Sequence, residues 1–322
     1  MGILHAAISN SLEGHQVLAV SDNDSFLLKL AKKALPALNF YSNYREMLEK
    51  EDLDGIFVCT PVQTHYAISH DVLTNFRDVS LFVEKPLAGN YEDASKMVID
   101  SHKSSVITMV GYQKRFRGVF QKARALLDAG VLGEVGYVRS HFFGSNVIGE
   151  KQGWKFQRGT GGATLEYGVH LLDLLIWYFG EPLSAKSMVK TVFSSNVEDF
   201  VSSNVEFQSG IRGSVEISWS MRNYSVPELL IEVHGKNGCM SVTEDRVSVF
   251  LDRTTKDSPL GEGTSVFFNS TLDESVPFLI ANPESVLQEQ FFLNCVNNKT
   301  QPQQNFESAA KVNRFVDLIH SS

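Results

Sequence analysis

Glu166, His170 and Asp173 stand four and three residues apart in a segment, Glu166 to Phe179, that is otherwise apolar nearly all round. At 3.6 residues per turn they share one helical face. A polar stripe on such a helix must be hydrogen-bonded internally or face a wet cleft, because unpaired buried charge is too costly. A buried structural network would produce the same pattern. The preceding stretch, Arg158-Gly-Thr-Gly-Gly-Ala163, carries three glycines and lets the backbone pass close to a ligand or a neighbouring strand. Together with this glycine-rich entry, such a stripe favours a site.

A second cluster, Glu84-Lys85-Pro86, ends the apolar run Ser80 to Val83. In open α/β sheets ligands gather outside the carboxyl ends of the strands. A solvated charge pair at a turn is the plainer alternative. Thr60, Pro61 and His65 follow the run Gly55 to Cys59 in the same way. Thr60 can bond a phosphate or ribose, a helix start near Thr64 offers free N–H groups to an anion, and His65 is either a ligand contact or helix-end packing. Asp22, just past the run Gln16 to Val20, suits an adenine ribose diol, although Asp also serves as a turn or cap residue. With Asp24 nearby and no Arg in the stretch, NAD is favoured over NADP.

Elements of two kinds must position these groups. Runs 16–20, 55–59, 80–83 and 106–110 read as strands apolar on both faces, alternating with helical segments 44–50, 64–75 and 91–103. That alternation predicts a Rossmann-like, doubly wound parallel sheet. A helix with Val119, Phe120, Ala123, Leu126 and Leu127 on one face, stopped by Gly130, opens a second unit. From Glu134 the period becomes two, clearest at Ile211, Gly213, Val215, Ile217 and Trp219. Further strands are expected at 184–193, 200–207, 229–234 and 246–251, a loop at 255–263, and closing helices at 284–296 and 307–319. The expected architecture is therefore α/β plus α+β, residues 1–115 as a dinucleotide-binding domain and 116–322 as a substrate-binding and oligomerisation domain with a large, mostly antiparallel open sheet.

The 322 residues are 43% hydrophobic with a net charge of −8, which predicts a folded chain without the basic blocks that bind nucleic acid. Apolar runs fall far short of the roughly 20 residues needed to span a bilayer, and no secretory signal is visible at Met1, so a cytoplasmic, membrane-free location is expected. Cys59, Cys239 and Cys295 are far apart, arguing against disulfides or a zinc site and for small buried apolar residues; no metal is expected.

In order, Met1-Gly2…His5-Ala6, Asp22, Cys59-Thr60-Pro61…His65, Glu84-Lys85-Pro86, Gly111-Tyr112…Arg115-Phe116 and Gly161-Gly162…Gly168…His170…Asp173 resemble the glucose–fructose oxidoreductase / inositol dehydrogenase / MocA family over nearly the whole chain. The resemblance implies a nicotinamide-dependent oxidoreductase acting on a sugar, inositol or related polyol. By that likeness Lys85 orients and polarises the reacting hydroxyl, His170 is the general acid or base, and Glu166 supports the pair, standing where the family usually has Asp. Gly2, Asp22, Thr60, Pro61, His65, Glu84 and Lys85 would hold the cofactor, NAD or NADP, and Arg115, Trp154 and Asp173 would meet substrate. Of the family's Gly-x-Gly-x-x-Gly turn only Gly2 is present, and the strand before it is missing. A truncated sequence or a start-site error is the expectation, with a gap or substitute pairing in the sheet. The alternatives are a non-catalytic ligand-binding member or NAD-assisted redox-neutral sugar chemistry. A homodimer or homotetramer is expected.

Overall fold

Short strands apolar on both faces and helices with one apolar face assemble as parallel β-structure covered by helices. The computed structural model describes residues 1–149, 151–254, 258–272 and 275–321. The first unit runs α1 (Gly2–Ser11), β1 (Ala19–Ser21), α2 (Ser25–Ala34), β2 (Asn39–Tyr41), α3 (Tyr44–Lys50), β3 (Gly55–Val58), α4 (His65–Asn75), β4 (Ser80–Val83), α5 (Tyr91–Lys103) and β5 (Thr108–Val110). Every residue of β4 is buried, as the central strand of a parallel sheet requires. Asn90 caps α5 by accepting from the Asp93 N–H at 2.8 Å, and Asp24 caps α2 through the Phe26 and Leu27 N–H groups.

The parallel structure comes in two pieces. β1 pairs with β2, and β3–β4–β5 form a second sheet; among the described residues no ladder joins β1 to β3. The expected strand at 16–20 is confined to Ala19–Ser21, and α1, α2 and β2 were not anticipated. α1 packs against β3, which puts its first turn beside the end of that strand.

The second unit begins with α6 (Gly118–Asp128) and β6 (Val135–Phe143), followed by α7 (Val169–Phe179). Then come β7 (Pro182–Lys190), β8 (Phe200–Phe207), β9 (Arg212–Ser218), β10 (Glu228–Gly235), β11 (Gly238–Thr243), β12 (Arg246–Leu251) and β13 (Gly263–Phe268). α8 (Asn269–Leu272), α9 (Pro283–Asn298) and α10 (Phe306–His320) close the chain. The eight strands lie in the order β13-β12-β11-β10-β6-β9-β8-β7, antiparallel throughout except for the parallel β6–β9 pair. Gly213, Val215 and Ile217 are buried against the helices, while Arg212, Ser214 and Glu216 point to the other face, as the period of two predicts. β11 and β13 were not foreseen; of the loop expected at 255–263, residues 255–257 lie outside the described residues and Gly263 already opens β13.

The closing helices return to the first unit. Phe292 of α9 packs edge-on against Phe57 and Phe82, at 5.4 and 5.5 Å between ring centroids, and α10 packs on α5. Val110 donates its N–H to the Gln304 carbonyl at 2.9 Å, and the Asn313 amide donates to Ala88. A cut after residue 115 omits this return, which fastens the parallel sheet from below. Cys295 is buried in the Phe82–Phe292 cluster, but Cys59 and Cys239 are only partly buried, against expectation. No helix among the described residues is long and apolar enough to cross a membrane.

Candidate active site

Lys85 leaves the carboxyl end of β4 and crosses to the second unit, where its Nζ donates to the Glu166 carbonyl at 3.0 Å and lies 3.7 Å from the Glu166 carboxylate. Burial pushes the ammonium below its usual range, and Glu166 and Glu84 oppose that shift. Glu84 spends both carboxylate oxygens within the protein: one accepts from His5 Nε2 at 2.7 Å and the other from the Lys85 N–H at 3.1 Å. Expected from the sequence as a cofactor contact, Glu84 thus bonds both His5 and the Lys85 backbone.

The helix expected from Glu166 starts instead with a π-helical turn, Thr164–Gly168, that runs into α7. Such turns widen the backbone and recur at functional sites. A methyl on Gly168 would come within 2.7 Å of Ile217 Cδ1 in the core, so glycine lets this turn lie down on β9. His170, in the first turn of α7, is half-buried, and its Nδ1 is a buried atom with no hydrogen-bond partner among the described residues. Burial, then the charges of Lys85 and Lys114, push its pKa well below the ordinary 6.5, leaving a neutral ring at pH 7. The Glu166 carboxylate pairs with Lys155 at 2.5 Å, and no hydrogen bond joins it to His170 among the described residues. Its support therefore goes to the lysines, and the bond that fixes Lys85 uses the main chain of residue 166, which is indifferent to Glu or Asp.

Asp173 completes the stripe only in angle. It is fully buried and takes a bidentate grip from Arg115, itself 5% exposed, at 2.8 and 2.5 Å. Each satisfies the other, and the Arg115 guanidinium also lies 5.6 Å from the Trp177 ring. The expectation that Arg115 and Asp173 meet substrate is corrected: they form a structural pair between α7 and the turn after β5. Trp154 stands in a short turn, partly buried, with Lys155 Nζ 5.4 Å from its ring, on the segment that brings Lys155 to Glu166.

At the other end of the cleft, Gly2 opens α1 against Cys59, where a methyl on Gly2 would lie 3.7 Å from the Cys59 Cβ. The first-turn N–H groups of a helix lack intrahelical partners, and here they sit at the carboxyl end of β3 beside Thr60 and Pro61. Asp22 follows β1, its Oδ1 accepting from the Asp24 N–H at 2.8 Å. A helix start and a hydroxyl at the end of β3 offer donors suited to a phosphate or ribose, while the Asp22 carboxylate stands at the end of β1 in the separate β1–β2 sheet. His65 is not part of that donor set. The residue is 2% exposed, with one ring nitrogen 2.9 Å from the Pro86 carbonyl and the other 2.8 Å from the Thr60 carbonyl; burial pushes its pKa down, and the single N–H of the neutral ring donates to one of the two, so it packs between two strand-end loops. Thr64 does not cap α4; its hydroxyl bonds Thr60 and the Pro61 carbonyl instead.

Residues 1–112 match the oxidoreductase family with an NAD-binding Rossmann fold, and residues 120–241 match the GFO/IDH/MocA C-terminal domain. The chain belongs to the GFO/IDH/MocA oxidoreductase family. A D-apiose dehydrogenase of Paraburkholderia graminis is 23% identical over 322 residues, covering 99% of this chain and 84% of that protein. A myo-inositol 2-dehydrogenase of Thermotoga maritima is 25% identical over 181 residues, 56% of this chain and only 52% of that protein. In three dimensions, levoglucosan dehydrogenase in complex with NADH and levoglucosan superposes with a TM-score of 0.85 at 18% identity, over 99% of this chain and 92% of that one. The family assignment makes this GFO/IDH/MocA protein a member of an oxidoreductase family whose N-terminal domain is an NAD-binding Rossmann fold.

Four charged residues at or behind the site escaped the sequence reading: Lys155, Lys114, Glu289 and, although its motif was noted, His5. Lys114 pairs with Glu244 close enough to His170 to act on its charge. Its place beside Arg115 in the turn after β5 was the available signal.

Proposed function

We propose that this GFO/IDH/MocA protein oxidises or reduces a secondary alcohol of a sugar or closely related polyol, with Lys85 and His170 on the reacting oxygen. The observation that carries this reading is His170: a ring kept neutral by burial, with a buried nitrogen left unpartnered, near a lysine held in place by the Glu166 carbonyl. In the oxidative direction the hydroxyl proton passes to the His170 ring. The Lys85 ammonium stabilises negative charge developing on the oxygen, and Glu166 with Lys155 keeps that lysine in place. NAD, when bound, accepts the hydride from the carbinol carbon. The α1 start at Gly2 and the hydroxyl of Thr60 would face its phosphates and ribose, with Asp22 on the adenine ribose diol, a charge that disfavours a 2′-phosphate. Trp154 would wall the sugar end of the cleft.

Self-association fits the sheet. Its outer face is largely polar, with Arg139–Glu232 paired across strands, but Tyr137, Met188, Phe250 and Phe268 on that face are exposed. A second copy covering them would remove that apolar surface from water. The names of the relatives set the first panel to try: D-apiose, myo-inositol and levoglucosan, with NAD and absorbance of NADH at 340 nm as the readout. Turnover that is lost in Lys85→Met and His170→Ala while NADH binding by calorimetry persists supports the reading. NADH binding without turnover of any sugar or polyol, in either direction, overturns it.

A further inference from the structure

Behind Lys85 lies a buried set of groups that the chemistry above does not use. His5, 3% exposed in the first turns of α1, bonds Glu289 of α9 through Nδ1 at 2.8 Å and Glu84 through Nε2 at 2.7 Å. Ser9, one turn on along the same face, donates to the other Glu289 oxygen at 2.7 Å. Both ring nitrogens thus face carboxylates, which accept only, so the arrangement is satisfied when the ring is an imidazolium with two N–H donors. The ring packs against both Phe57 and Phe82, with centroids 5.2 Å away in each case and the two phenyl rings 4.9 Å from each other. The charged groups facing it are Glu84 from the end of β4 and Glu289 from α9, with the Lys85 charge acting on Glu84.

We propose that His5 and Glu289 are positioning residues for Lys85. The His5 imidazolium, clamped by Glu289, holds Glu84 ionised and oriented, and the second oxygen of Glu84 fixes the Lys85 N–H. The same ring stands one turn from Gly2, so the relay ties the start of α1, the phosphate end of the cleft, to the lysine at the substrate end. Glu289 is 284 residues from His5 and lies on the returning helix α9, which gives that helix a part in the site that its distance in sequence hides. Burial works against protonation of His5, but the hydrogen bonds to Glu289 and Glu84 outweigh it and hold the ring charged up to about 9. Burial likewise opposes ionisation of Glu84, and His5 overcomes it, holding that carboxyl below its usual range.

The relay rests on the reading of Lys85 as the residue that meets substrate, but its test does not require turnover. The full chain without ligand is trace-labelled with acetic anhydride, and the rate at Lys85 is read by peptide mass spectrometry against exposed Lys50 as internal standard. Glu289→Gln keeps the shape and removes the charge; it is expected to raise Lys85 labelling about threefold or more, since a one-unit change in pKa alters free amine about tenfold. If Glu289→Gln does not fold, His5→Gln, which can donate to only one carboxylate, is read in its place with the same expectation. Nitrogen-15 NMR of the unaltered chain gives a second reading, with the His5 ring protonated at pH 7.5 and titrating near 9. Unchanged Lys85 labelling in a folded variant, or a His5 ring that is neutral at pH 7.5, overturns the relay. Where a turnover substrate is found, the alkaline limb of kcat is expected to move to lower pH in Glu289→Gln with KM for NAD within about twofold; a limb that stays in place counts against the relay, whereas failure of every sugar to turn over counts against the function alone.

Discussion

Asp173→Asn discriminates a structural pair from a substrate contact, and the structure sets the size of the effect. The substitution keeps the shape of the side chain and removes the charge from a site that is fully buried, leaving the Arg115 guanidinium, 5% exposed, without its two charge-assisted bonds at 2.8 and 2.5 Å. Breaking one partner of such a pair costs about 3–5 kcal/mol, because the remaining charge stays buried and uncompensated. At the low end of about 2 °C per kcal/mol for a chain of this size, the midpoint should fall by roughly 6–10 °C. Thermal unfolding followed by tryptophan fluorescence suits the measurement, since Trp177 lies 5.6 Å from the guanidinium and reports its release. Replacing both partners by apolar residues, Arg115→Met with Asp173→Leu, should recover most of the loss, as buried pairs exchanged for packed apolar side chains are commonly neutral or stabilising. An Asp173→Asn protein with an unchanged midpoint and a raised KM for sugar would refute the structural assignment.

Three further outcomes follow from the site. His170 is pushed well below 6.5, so its base form should persist as pH falls, with the acid limb of turnover lying well below 6.5 and His170→Ala lowering kcat by about 10²–10⁴. The same depression means that the unfolded chain binds the proton first, so the contribution of His170 to stability is complete above 6.5 and lost as pH falls below it; urea titrations at pH 7.5 and 5.5, compared between the unaltered chain and His170→Ala, check the sign. Glu166→Ala should cost less than about tenfold in kcat, since the 3.0 Å bond to Lys85 comes from the main chain and the carboxylate stands 3.7 Å off. A loss as large as that of Lys85→Met would show that the carboxylate itself is required.

What could be read in the sequence was local. Ser80 to Val83 announced a strand buried on both faces, and from it followed the place of Lys85; strands with one polar face, such as β8 and β12, were visible by their alternation. The three-residue strand β2 is too short to carry a period, and α1 lacks a side-chain cap, so neither left a signal, whereas β1 was read from the run before it with its bounds displaced. The stripe Glu166, His170, Asp173 had the right angles, but the depth at which each ends is set by partners elsewhere. Arg115, 58 residues away, covers Asp173, while the buried Nδ1 of His170 is left without a partner among the described residues. His5 shows the same limit, because its two carboxylates come from β4 and α9 and no spacing along the chain brings them together.

The break between β1 and β3 has a thermodynamic consequence for the adenine end of the cleft. The corner built from β1, β2 and α2 is tied to the rest mainly through α3, and Phe26, Leu27 and Leu30 on α2 are 66%, 48% and 50% exposed. A corner that buries so little apolar surface opens at a free energy well below that of the whole protein, and its amides exchange with solvent first. Asp22 sits there, so a nucleotide that engages it must first order the corner. The fraction of molecules already ordered then scales the observed Kd, making cofactor affinity a measure of local folding as much as of contacts made.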